Sequence, residues 1–371
     1  MTGDALAPLL LHVVPSFAVG GAQQRTAAIA NRFGRRWRHA IIALDGNIEA
    51  RARLSAELDV LFPSVVLRKD DTLRNVWRCR AALRELRPAV LVTHNWDTIE
   101  WAMASHFVCV RHVHIEDGFG PEERAQQLPC RVLTRRLVLR RATVVLPSRA
   151  LLRIATEVWR LPRRRVRYIP NGIDLVRFAP AAAEAAPPWP RDLPVIGTVA
   201  ALRPEKNLFR LLDAFALLSA THDARLVIVG DGPQRGALGA RAGELGVGER
   251  VVFAGATDDA PRAYRNFDVF ALSSDTEQMP LAVLEAMGCA LPLAATAVGD
   301  VAAMLAEANR PFVVPQDAPA LASACAALLD APGARAAIGA ANRARARMDF
   351  DQEAMFAAYA GLFDAGREQS A

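Results

Sequence analysis

From Leu9 to Val314, short apolar runs alternate with segments long enough for helices, and that alternation restricts the chain to parallel sheets with crossover helices. In the first half the pattern predicts strands at Leu9–Val14, Ala40–Leu44, Val60–Leu67, Ala89–Thr93, Val110–His114, Thr143–Leu146 and Val166–Ile169. In the second half it predicts Val195–Ala200, Arg225–Val229, Val251–Phe253, Val269–Leu272, Leu291–Ala294 and Pro311–Val314. Between the halves an Ala/Pro-rich stretch, Ala179 to Pro190, ends in Pro187-Pro188-Trp189-Pro190 and reads as a linker. The expected fold class is α/β, two Rossmann-like doubly wound domains whose crevices, at the carboxyl ends of the strands, face each other across a central cleft. The expected boundaries are 1–178 for an N-terminal domain, 179–192 for the linker and 193–348 for a C-terminal domain. Residues 349–371 are expected to form a C-terminal helix packing back toward the first domain.

Composition narrows the surroundings in which such a fold works. With 371 residues and 52% apolar content the chain can build two cores, and no run of 18 uncharged apolar residues predicts a spanning helix. The apolar run Leu9–Val14 follows Asp4 rather than a basic segment, which suits a strand better than a signal peptide. Five scattered cysteines without a Cys-x-x-Cys pair fit reduced residues of a cytoplasmic protein. Only Lys69 and Lys206 are lysines, against 43 arginines, so a lysine kept at 206 hints at a compact ammonium. Between Pro121 and Arg167 thirteen arginines face three glutamates, a local balance of +10 in a chain of net +6. That patch suits peripheral contact with an anionic membrane at the inner face; a solvated face or an anionic substrate competes, and nucleic acid is disfavoured because interleaved aromatics are lacking.

The chemistry-bearing motifs fall where the predicted strands end. Gly20-Gly21 follows the first strand, and His114-Ile115-Glu116-Asp117-Gly118 follows a middle one. Arg203-Pro204-Glu205-Lys206-Asn207 and Gly230-Asp231-Gly232-Pro233 follow the first two strands of the second domain. Glu277 and Glu285 bracket the stretch Gln278 to Leu284, with Pro280 suited to a helix start and Gly288 to its end. The series reads as a site for a sugar nucleotide: one carboxylate for sugar hydroxyls, the other for ribose hydroxyls, and Arg203 with Lys206 neutralising the diphosphate near a helix N-terminus.

These segments, together with Ile169-Pro170-Asn171-Gly172-Ile173-Asp174 and Arg177-Phe178, closely resemble glycosyltransferase family 4, retaining enzymes of the GT-B fold. The resemblance implies that Arg203 and Lys206 bind the donor diphosphate and stabilise it as it leaves, and that Glu277 holds the transferred sugar. It further implies that Glu285 accepts from the ribose, that backbone N–H groups around Met279, Pro280 and Leu281 face sugar and phosphate, and that Gly20 and Gly21 close over the donor. His114 is the best match to a family histidine beside the sugar, with His112 as the competing match and a core histidine as the plain alternative. Three positions depart from the family's pattern. Gln278 stands where a glycine is usual, Gly299-Asp300 where a Gly-Gly pair is frequent, and Asp117 where related members commonly carry a histidine.

The resemblance implies transfer of a sugar from a nucleoside-diphosphate sugar to a sugar or lipid-linked acceptor, in bacterial cell-surface polysaccharide or lipopolysaccharide synthesis. No cofactor and no metal are expected. The Asp-x-Asp pair, Asp349-Phe350-Asp351, stands directly before the last helix and reads as a cap. Two alternatives remain open: a sugar-nucleotide epimerase or hydrolase of the same fold, and a nucleotide-sugar-binding assembly subunit that has lost catalysis.

Overall fold

The computed structural model describes residues 7–69, 71–123, 126–180 and 189–365. Asp70, Arg124 and most of the Ala/Pro-rich linker expected at 179–192 lie outside the described residues. The chain divides into two units, 1–170 with 356–371, and 171–355.

The first unit is built on a seven-stranded sheet: β1 (Leu9–Val14), β2 (Arg38–Ala43), β3 (Val60–Leu61), β4 (Val90–His94), β5 (Arg111–Ile115), β6 (Thr143–Leu146) and β7 (Val166–Tyr168). Its order is β3-β2-β1-β4-β5-β6-β7 and every pairing is parallel. β1 and β4 are buried along their whole length, as strands covered on both faces must be. The order reverses between β1 and β4, which sets the crevice of this unit at their carboxyl ends. The last helix, Gln352–Asp364, runs into this unit, where Phe363 meets Phe33 and Trp37 edge-on.

The second unit carries β8 (Val195–Val199), β9 (Arg225–Val229), β10 (Val251–Gly255), β11 (Val269–Leu272), β12 (Leu293–Thr296) and β13 (Val313–Val314). They form a parallel sheet in the order β10-β9-β8-β11-β12-β13, so the reversal lies between β8 and β11.

Four boundaries differ from those the sequence predicts. The run expected at Val60–Leu67 pairs only over its first two residues, because Pro63 cannot donate to the ladder and Val66 is exposed. The strand expected at Leu291–Ala294 starts at Leu293, since Leu291 N still donates to Ala286 O at the preceding helix end and Pro292 has no N–H. That expected at Pro311–Val314 is reduced to Val313–Val314 by a 3₁₀ turn, Glu307–Phe312, that contains Pro311. The first domain ends at Pro170 rather than 178. Asn171 Nδ2 donates to Met279 O at 2.9 Å, Ile173 bridges to Asp351, and Phe178 packs edge-on against Tyr264, so residues 171–178 belong to the second core.

Candidate functional site

In the second unit the loops after β8 and β11 are the two that flank the reversal, and they are tied together by hydrogen bonds. Pro204–Lys206 form a 3₁₀ turn, and Asn207 leaves it with a left-handed φ of 40°. Asn207 Nδ2 then donates to Asp275 Oδ1 at 2.9 Å, while Ser273 Oγ donates to Lys206 O and Asp275 N to Glu205 O, both at 2.9 Å. Arg210 closes the clamp from the following helix through Ser273 O and Asp275, each at 2.7 Å.

This clamp brings Lys206 and Glu277 together. Lys206 Nζ donates to Glu277 Oε1 at 2.5 Å, and Ser274 Oγ donates to the same oxygen at 2.8 Å. Glu277 Oε2 has no partner among the described residues, so one face of the carboxylate is held and the other is available to a ligand hydroxyl. Arg203 is exposed, and its guanidinium likewise has no partner among the described residues. Two cations and an oriented carboxylate at one crevice can take a doubly charged group and an adjacent hydroxyl.

Glu285 lies in the helix Leu281–Gly288, whose N-terminus begins after Pro280. Its Oε2 accepts from the Tyr264 hydroxyl at 2.7 Å, and burial raises its pKa against the lowering effect of that hydrogen bond and of Arg177. Met279 and Pro280 are buried beneath the loop. Gly230 and Gly232 are required by the fold itself. Both have positive φ, and an added Cβ would stand 1.9 Å from Ala200 O and 2.7 Å from Leu202 O respectively. Gly299 serves the same purpose beneath the first glutamate, with φ of 51° and a Cβ position 2.2 Å from Glu277 O.

The first unit presents a different set at the carboxyl end of its strands. Gly20 precedes the helix Gly21–Phe33 with extended φ, and a Cβ there would meet only the flexible end of Gln23, so local packing does not demand glycine. His114 is buried at the end of β5. Its Nδ1 and His112 Nε2 share the Thr93 hydroxyl at 2.9 and 2.7 Å, and its Nε2 lies 3.7 Å from Glu116 Oε2. Burial lowers its pKa to about 3 and pushes Glu116 up to about 8. Asp117 forms a two-pronged pair with Arg25 at 2.7 and 2.8 Å, and its N–H donates to Asn95 Oδ1 at 2.7 Å.

Ser274, Asp275 and Tyr264 hold this crevice's geometry but lie in none of the motifs, and Asn207 closes one of them without having been given a role there. The run Ser273-Ser274-Asp275 after a strand, and an Asn closing a turn, are the local signals that mark them. Asp351 Oδ1 accepts from Glu353 N at 2.9 Å at the start of the last helix, and Asp349 pairs with Arg345 at 2.7 Å. Among the described residues no cluster of three His, Cys, Asp or Glu is arranged to hold a metal ion.

Profiles of two families match the chain: Glycosyltransferase Family 4 over residues 19–177 and Glycosyl transferases group 1 over residues 193–331. The chain belongs to glycosyltransferase family 4. Among curated relatives, the putative glycosyltransferase EpsF of Bacillus subtilis is 34% identical over 204 residues, 50% of this chain and 49% of that protein. The lipopolysaccharide core biosynthesis glycosyltransferase LpsD of Rhizobium meliloti is 27% identical over 293 residues, 78% of this chain and 79% of that protein. The match thus spans about half the length of EpsF and of two mannosyltransferases, at 53% and 52%. Anabaena HepE, solved in complex with UDP-glucose, superposes with a TM-score of 0.80 at 19% identity, covering 96% of this chain and 100% of that one. Each doubly wound unit of this family 4 chain is accordingly one of the two α/β domains of a GT-B fold.

Proposed function

We propose that this family 4 chain is a retaining, metal-independent glycosyltransferase that moves a sugar from a nucleoside-diphosphate sugar to an acceptor hydroxyl in bacterial cell-surface polysaccharide or lipopolysaccharide synthesis. The observation that carries the proposal is the Lys206–Glu277 pair at the reversal of the second sheet, with exposed Arg203 on the same turn. Without donor, Glu277 neutralises Lys206; with donor, Lys206 and Arg203 meet the diphosphate and Glu277 turns to a sugar hydroxyl. Cations aimed where negative charge grows on the leaving diphosphate lower the barrier more than they tighten the ground state. The half-buried Glu285, oriented by Tyr264, takes the ribose, and the backbone at Met279 to Leu281 supplies N–H groups and the helix dipole. In the first unit, which takes the acceptor, Gly20 and Gly21 let backbone approach a ligand closely, and His114 is placed beside the sugar. The names of LpsD and of HepE with UDP-glucose support the pathway class and the donor class.

Thermal unfolding in EDTA with UDP, GDP and ADP tests the donor assignment. One of the three is expected to raise the midpoint of the wild type, and Lys206→Ala is expected to lose most of that rise. If no nucleoside diphosphate stabilises the folded wild type, or the variant responds equally, the donor site is wrongly assigned.

Contact with the inner face of an anionic membrane is part of the same proposal. Of the twelve described arginines between 121 and 167, ten are exposed, whereas Arg135 is buried against Glu123 and the rings of Trp96, Phe119 and Trp159. The helix Pro129–Val138 exposes Leu133 and Leu137 beside Arg136, a pairing of apolar and basic residues that suits a lipid interface. Among the described residues no single helix is long and apolar enough to cross a membrane. Leu133→Ser/Leu137→Ser is expected to reduce sedimentation with phosphatidylglycerol vesicles at low salt; unchanged sedimentation would remove this helix from the interface.

A further inference from the structure

A cavity of about 690 Å³ in the first unit is lined by Arg111, Arg141, Arg164, Arg165 and Arg167, and among the described residues no carboxylate lines it. It lies at the edge where the strands begin: Arg111 opens β5, Arg141 stands just before β6, and the turn Arg163–Arg165 leads into β7. The residues at the carboxyl ends, Asp117 among them, are at the opposite edge, about 13 Å away along a five-residue strand. The cavity is therefore separate from the crevice to which glycosyl transfer is assigned.

Five guanidinium groups around one concavity repel each other, and Asp364 acts on one of them, Arg111. Asp364, close in sequence to the lining residue Leu362, is paired with Arg36 at 2.5 Å. Two of the arginines are fixed by neutral acceptors only. Arg111 donates to Leu362 O and to Phe363 O, the latter at 3.2 Å, and Arg167 donates to Arg164 O and Val166 O at 2.9 and 3.0 Å. Arg141, Arg164 and Arg165 are exposed, with no side-chain partner among the described residues. Burial lowers the pKa of Arg111, although the nearby Asp364 carboxylate acts to raise it. Planar guanidinium forks suit phosphate oxygens, which they can grip two at a time.

We propose that this cavity is a binding site for an anion carrying two or more phosphate groups, either free in solution or as the headgroup of a lipid. The site is independent of the donor assignment, and its test uses the Lys206→Ala chain so that the diphosphate crevice does not contribute. Inorganic tripolyphosphate, titrated by calorimetry without metal, is expected to bind this chain. Adding Arg141→Gln and Arg165→Gln, both exposed, is expected to weaken binding by about tenfold for each guanidinium removed. Adding Arg136→Gln and Arg153→Gln instead, two exposed arginines that do not line the cavity, removes the same charge and is expected to change affinity less than threefold, ~0.6 kcal/mol. No binding to the folded Lys206→Ala chain, or equal weakening by the two pairs, overturns the proposal. Phosphatidylcholine vesicles carrying a polyprenyl diphosphate distinguish the sources. Sedimentation that Arg141→Gln/Arg165→Gln abolishes assigns a headgroup, and tripolyphosphate binding without such sedimentation assigns a soluble ligand.

Discussion

Gly299 and Gly20 are both glycines beside proposed ligand sites, and the structure gives them opposite reasons for lacking a side chain. At Gly299 the backbone is left-handed, and a Cβ would stand 2.2 Å from Glu277 O and 2.8 Å from Gln278 O. The next residue, Asp300, donates its N–H to Gln278 O at 3.0 Å. The departures from the family's pattern at 278 and 300 therefore meet at a single contact beneath Glu277. Gly299→Ala is expected to cost about 1–3 kcal/mol in urea unfolding, since neither its φ nor its neighbours tolerate a methyl group, and to abolish the nucleotide-induced thermal shift. Gly20→Ala has extended φ and meets only the end of Gln23, so its stability is expected to change by less than about 0.5 kcal/mol while transfer activity falls. A Gly20→Ala enzyme of full activity would remove Gly20 from the ligand site.

At the scale of elements, the crevice proposed for the donor depends on one loop being clamped to another across the reversal of the sheet. Asn207 contributes three times, through its left-handed backbone, through its side-chain amide on Asp275, and through its Oδ1, which caps the following helix by accepting from Arg210 N at 3.2 Å. Asn207→Gly keeps the backbone conformation and loses the two side-chain hydrogen bonds, whereas Asn207→Ala loses the conformation as well. The alanine variant is thus expected to be less stable than the glycine variant by about 1 kcal/mol, and both are expected to bind nucleotide more weakly than wild type. Equal nucleotide binding by wild type and Asn207→Gly would mean that the clamp does not set the position of Lys206. The motifs themselves were legible because each is a local signal placed after an apolar run: Gly20-Gly21 after β1, Arg203 to Asn207 after β8, Glu277 after β11. Their joining was not legible, because it follows from β8 lying beside β11, and no local pattern reports which strands are neighbours. Strand ends failed where prolines interrupt apolar runs, at Pro63, Pro292 and Pro311. Arg135 was counted as surface charge, because nothing in the sequence announces that Glu123 and three aromatic rings would enclose it.

Across the whole molecule, the ionisable groups that burial shifts most are distributed unevenly. Six of the seven histidines lie in the first unit, and five of them, His12, His39, His94, His112 and His114, are buried with lowered pKa values, chiefly through burial itself. Those of His39 and His114 fall to about 4 and about 3. Unfolded histidine titrates near 6.5, so as the pH drops below that value the unfolded state takes up protons that the folded state refuses. Each such group then removes up to ~1.4 kcal/mol of stability per pH unit, until its folded pKa is reached. Glu116, pushed up to about 8, acts in the opposite sense: it contributes stability below about 4.5 that is lost as the pH rises toward 8. One carboxyl offsets one histidine between 4.5 and 6.5, and below 4.5 the histidines are unopposed. The second unit has only His222, which is not deeply buried, so acid is expected to unfold the first unit before the second. Five of the six tryptophans, all but Trp189, lie in the first unit, so intrinsic fluorescence follows that unit selectively. Its acid transition is expected to precede the loss of far-ultraviolet circular dichroism from the whole chain. His39→Phe is expected to move the fluorescence midpoint to lower pH, and Glu116→Gln to steepen the rise of stability between pH 4.5 and 6.5 and remove the fall between 6.5 and 8. Coincident transitions by both probes, or an unchanged midpoint in a folded His39→Phe chain, would show that these histidines do not govern the acid limit of the fold.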